Sequence, residues 1–141
     1  MTAAVAGVLA GIFVILALIH IYWAFGGRLG KSAAIPELGG RAAFVPGRIA
    51  TFAVAVALVG AAFIVAAAGG LFGGPERVHL ARILTAVIGA GLIARAIGDF
   101  RLVGFFKRER AGAFARLDTI AYSPLCLALG IAALLVARGV G

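Results

Sequence analysis

Arg95, Asp99 and Arg101 lie in the stretch RAIGDFRLVGFFKRER, directly after the apolar run ILTAVIGAGLIA. Ionisable side chains on a membrane helix turn inward, pair with one another and mark sites. Asp99 also breaks two local rules. An acid near a helix C-terminus opposes the macrodipole, and Arg95 before Asp99 is the less favourable order for a pair one turn apart. Asp99 is therefore expected to meet Arg48, His20 or Tyr122 on another helix. Its loss is expected to cost about 3–5 kcal/mol, as when a buried charge is left unpaired.

Other candidates fall at similar depth. His20, Tyr22 and Trp23 belong to HIYWAF, and Asp118, Thr119, Tyr122 and Ser123 to DTIAYSP. His20 can exchange a proton near neutral pH. Arg48, Arg95 and Arg101 suit a phosphate or carboxylate headgroup, with Trp23 and Tyr122 offering apolar faces with polar tips. The candidate ligand-binding or polar cluster is thus His20, Trp23, Arg48, Arg95, Asp99, Arg101, Asp118 and Tyr122.

Competing chemistries fit less well. A haem with two histidine ligands would need His20 and His79, which belong about 20 Å apart along the membrane normal. A metal held by His20, Asp99 and Asp118 has no supporting ligand spacing, and the arginines already answer those acids. Ser123 before Pro124 reads as a helix cap rather than a nucleophile. No cofactor, no metal site and no catalytic residue is expected.

The elements that must position these residues are four apolar segments, at about 3–25, 47–68, 76–103 and 118–138. Each reaches the ~20 residues that a bilayer core requires, and none alternates as a barrel strand would. Of the 141 residues 64% are hydrophobic and only 13% charged, against about 25% charged in soluble domains. The expected fold is all-α: one integral membrane domain over 1–141, an antiparallel four-helix bundle. The first segment has no cation before it, so it reads as a retained helix rather than a signal peptide. Cys126 is the one cysteine, which leaves no internal disulfide.

Charge sets the orientation. Arg28, Lys31, Arg41 and Arg48 follow the first segment, and Lys107, Arg108, Arg110 and Arg116 follow the third. Both loops fall on one side of a four-span chain, which the positive-inside rule makes cytoplasmic, so both termini point outward. The net charge of +8 therefore speaks for lipid headgroups rather than nucleic acid. A small hairpin is expected around Gly39-Gly40. The segment GFFKRERAGAFARL suits the headgroup region.

The landmarks HIYWAFGG, AIPELGGRAAFVPG, RAIGDFRLVGFFKR and FARLDTIAYSPLCL, in that order, resemble a family of small bacterial four-helix membrane proteins catalogued as domain of unknown function 3995. The resemblance spans nearly the whole chain. It implies a multi-pass protein of the bacterial inner membrane and draws attention to His20, Trp23, Arg95, Asp99, Arg101, Asp118 and Tyr122. It supplies no mechanism.

Two function classes remain. The preferred one is a non-enzymatic accessory protein or binder of a lipid or amphipathic molecule, acting alone, as a homo-oligomer or in a larger membrane complex. The alternative is a small enzyme using His20, Asp99 and Asp118 on a lipid-like substrate. A small transporter ranks below both, because transporter sites lie near the midplane and no acid here does. The function is expected in the cytoplasmic half, between the first, third and fourth segments.

Overall fold

A computed structural model describes residues 2–139, apart from the side chains of Pro75 and Glu76. Five α-helices form: α1 Thr2–Ala24, α2 Arg48–Ala68, α3 Pro75–Ile97, α4 Ala113–Leu117 and α5 Ser123–Arg138. One π-helical turn, Asp118–Tyr122, joins α4 to α5, so residues 113–138 make one helical span. Among the described residues there are thus four helical spans long and apolar enough to cross a membrane.

Side-chain distribution agrees with lipid surroundings. Val14, Ile15, Leu18, Phe52, Val56, Phe63, Val87 and Ile131 are exposed on the helices. The core is built largely of small residues: Ala6, Ala62, Ala68, Ala81 and Ala133 pack with Leu9, Phe13, Val65, Leu129 and Val136. Water would penalise so much exposed apolar surface. Between lipid-facing helices, association rests on close packing, which small residues permit.

Neighbouring helices run antiparallel. The end of α2 meets the start of α1, where a Cβ at Gly69 would strike Ala6. The start of α2 meets the end of α1, where Arg48 Nε donates to Ala24 O at 2.8 Å. α3 and α5 approach closely at Gly89 and Gly130, where a Cβ on Gly89 would stand 2.9 Å from the Gly130 carbonyl oxygen. α2 packs on α3 and α1 on α5, which closes the bundle.

Two segment limits differ from the sequence reading. The third helix stops at Ile97, not near 103, because Gly98 turns the chain at φ 103°. The fourth span begins at Ala113, before the expected 118. Its Pro124 has no N–H and would crowd the Ile120 carbonyl. The turn widens instead, and the Ser123 N–H reaches back to Asp118 O. The expected hairpin forms with Glu37–Leu38 paired to Arg41–Ala42, across Gly39 and Gly40 at φ 59° and 76°. Both central residues need positive φ in such a two-residue turn, hence two glycines. Glu37 packs against Gly112, so the first loop rests on the last. The expected outward position of the chain ends concerns Met1 and Gly141, which lie outside the described residues.

Candidate functional site

The segment after α3 folds back on it. Asp99 Oδ1 accepts the N–H groups of Arg101, Leu102 and Val103 at 2.8, 2.7 and 3.0 Å. That cap holds Phe100 at φ 61°, a left-handed conformation rare for a bulky residue. Phe105 N–H and Phe106 N–H then donate to Ala96 O and Ile97 O, at 2.8 and 3.3 Å, and so satisfy carbonyls that the helix end leaves open. Gly98 and Gly104 lie back to back.

This return delivers a backbone donor and a lysine to Asp118, which is fully buried. Asp118 Oδ1 accepts Arg95 Nη2 at 2.6 Å. Oδ2 accepts Gly104 N–H at 2.7 Å and Lys107 Nζ at 3.1 Å. Lys107 is 3% exposed. Its ammonium spends all three hydrogens, on Asp118, on Gly104 O at 3.0 Å and on Thr119 Oγ1 at 2.6 Å. Thr119 in turn donates to Ala115 O. Two cations and one acid thus join α3, the returning loop and the start of the fourth span. Buried charges are tolerable when paired and hydrogen-bonded in this way.

None of the other expected residues hydrogen-bonds or ion-pairs with that cluster. His20 Nδ1 bonds Leu16 O at 2.8 Å, and its ring meets Trp23 edge-on at 5.1 Å. Trp23 Nε1 donates to Leu29 O. Arg48 caps α1 through Ala24 O, as above. Tyr122 donates its hydroxyl to Ala33 O at 3.1 Å and tilts against Phe114, which ties the first loop to the fourth span. Arg101 is exposed beside Asp99 in an open depression shared with Leu38, Phe100, Arg108 and Glu109. Ser123 does not cap: its Oγ is buried with no hydrogen-bond partner.

The expectation for Asp99 is therefore corrected. It touches neither Arg48, His20 nor Tyr122, and it is exposed. Its role is to cap its own loop, which answers the unfavourable place on its helix without a distant partner. Slight burial works to raise its pKa, and the N–H groups of Val103, Arg101 and Leu102 more than offset this, so the carboxyl lies below its ordinary value. A lowered folded pKa gives a contribution that is complete above the ordinary carboxylate range and fades as pH falls through the folded value. Asp99→Ala should then cost about 1 kcal/mol, the scale of a lost cap, rather than the loss of a buried charge. Thermal unfolding in detergent should separate it from wild type at neutral pH, with the gap closing in acid. A loss persisting undiminished in acid would refute the capping role.

Sequence reasoning placed Thr119 at this depth but left it out of the cluster, and it missed Lys107 and Gly104 as partners of Asp118. Lys107 sits in FFKRER, where every cation reads as topogenic. The available signal was Asp118, an acid at a helix start that needed cations, together with the two glycines that let the loop return. Among the described residues no three His, Cys, Asp or Glu side chains gather as a metal site requires. The arrangement can brace helices and present exposed cations.

A family model described as Protein of unknown function (DUF3995) matches residues 13–133, which include every residue discussed in this subsection. None of the curated proteins and none of the solved structures compared matches the chain.

Proposed function

Since the chain belongs to the DUF3995 family of proteins of unknown function, we propose that it is a non-enzymatic, multi-pass protein of the bacterial inner membrane that binds anionic lipid headgroups at its loop-rich end. One observation carries this reading. All of the thirteen Lys and Arg residues except Arg77, Arg82 and Arg138 gather at that end, and exposed Phe25, Phe44, Phe100 and Phe106 stand among them. Cations answer phosphates, and the aromatic rings sit in the apolar layer just beneath. Each such cation near an anionic surface contributes about 1 kcal/mol.

In this reading the Arg95–Asp118–Lys107 cluster is a brace. It holds the loop of Arg101, Arg108 and Arg110 against the bundle so that these side chains present one surface. The enzyme alternative draws no support from the geometry. His20 is bonded within its own helix, Asp99 within its own loop, and Asp118 is sealed by Arg95, Lys107 and Gly104.

The proposed orientation puts the basic loops in the cytoplasm and α1's start and the α2–α3 connection outside. In a Cys126→Ser background, cysteines at Thr2 and Arg77 should react with an impermeant reagent applied to whole cells. A cysteine at Arg110 should react only after the membrane is opened. Labelling at Arg110 in intact cells would reverse the orientation and remove the anionic cytoplasmic leaflet as the ligand.

A further inference from the structure

At the end of the bundle opposite the basic loops, a cleft opens between the start of α3 and the end of α5. Its walls are His79, Arg82, Ile83, Ala86, Leu134 and Arg138. On α3 these residues follow one stripe, since positions three, four and seven apart share a helix face. The stripe is graded: cations lie toward the helix ends, and Ile83, Ala86 and Leu134 continue toward the membrane interior.

Among the described side chains, none of the cations there is paired with a carboxylate. Among the described residues both ion pairs are made by Asp118, at the other end. Arg82 Nε is buried with no hydrogen-bond partner. The Arg82 guanidinium lies over Gly139, which takes φ 66° at the end of α5 and would bring a Cβ 2.8 Å from Nη2. The α5 carboxyl end accounts for one side of that guanidinium. It leaves Nε unanswered, and it leaves His79 and Arg138 exposed.

We propose that this cleft binds one anionic phospholipid, with its phosphate held by Arg82 and Arg138 beside His79 and an acyl chain laid along Ile83, Ala86 and Leu134. Arginine suits a phosphate because its planar fork donates two parallel hydrogen bonds. The apolar floor commits the site to a lipid: a free phosphate would use only the cationic rim. The site is independent of the headgroup surface at the basic loops.

The test is native mass spectrometry of the full chain in detergent, titrated with phosphatidylglycerol. Wild type should take up one lipid most tightly. Arg138→Gln, an exposed change, should weaken that first adduct about fivefold, and Arg82→Gln/Arg138→Gln roughly thirtyfold, at about 1 kcal/mol per cation. Arg108→Gln/Arg110→Gln should leave the first adduct intact, which separates this site from the basic loops. Undiminished first-adduct affinity in Arg138→Gln and in the double variant would overturn the proposal, and Arg138→Gln alone decides if the double variant does not fold. Displacement of the lipid by excess inorganic phosphate would also overturn it, in favour of a free-anion site.

Discussion

Asp118→Ala should destabilise the chain by about 3–5 kcal/mol, the usual cost of removing one partner from a buried ion pair. Asp118 is the one acid between Arg95 and Lys107. Without it two cations face each other, and Gly104 N–H loses its acceptor. The two cations differ in how they escape. The Arg95 side chain is 31% exposed and can turn toward headgroups, whereas that of Lys107 is 2% exposed and cannot. Lys107→Met added to Asp118→Ala should therefore restore part of the loss, a coupling that a double-mutant cycle measures directly. Denaturant unfolding in detergent supplies the values. An Asp118→Ala protein as stable as wild type would show that the cluster is no brace. A double variant weaker than Asp118→Ala alone would show that Lys107 does not suffer from the lost acid.

A second large loss is expected at Gly98→Val. The residue sits at φ 103° and ψ −179°, a region essentially confined to glycine that costs about 1–3 kcal/mol for a residue with a Cβ. That Cβ would also drive into the Val103 carbonyl and Gly104 Cα. Both obstacles are backbone, so the loop itself must move, and overpacking of this kind adds about 1–3 kcal/mol. The displaced loop carries Gly104 and Lys107 away from Asp118, so the change acts on the brace from a distance. Gly91→Ala is the matched control. Gly91 lies within α3, which Gly98 ends, with nothing within 4 Å of a Cβ placed there, and the change should be neutral or stabilising. Equal stability of Gly98→Val and wild type, by the same unfolding measurement, would mean that the loop is not fixed by this contact.

The spans were legible because length and apolarity alone define them, and no tertiary contact is needed to read Thr2–Ala24 or Arg48–Ala68 as membrane helices. The hairpin at Gly39-Gly40 was legible for a similar reason, since its turn chemistry is local. What the sequence hid was long in range or degenerate in type. The end of α3 at Ile97 depends on Gly98 and on a cap that Asp99 makes with its own following loop. Rules for helix ends made Asp99 look unsatisfied, because the loop conformation that satisfies it is not written in any periodicity. Lys107 looked like its neighbours Arg108 and Arg110, and only the fold distinguishes the buried cation from the exposed ones. Arg95 and Asp118 both drew attention as ionisable residues near a membrane segment. Their pairing needed the antiparallel packing of α3 on the fourth span, which brings the backbones close at Gly89 and Gly130.

Trp23 is the chain's one tryptophan. It lies half-buried at the loop-rich end, with its ring nitrogen on Leu29 O. Its fluorescence therefore reports the lipids around that end without any engineered probe. The protein should be placed in phosphatidylcholine vesicles containing, at equal mole fraction, brominated phosphatidylglycerol or brominated phosphatidylcholine as quencher. If the basic surface gathers anionic headgroups, the brominated phosphatidylglycerol quenches Trp23 more strongly. The excess corresponds to a local enrichment of about fivefold or more, from ~1 kcal/mol per engaged cation, and it shrinks as salt is raised. Equal quenching by the two lipids at low salt would contradict the proposed headgroup binding.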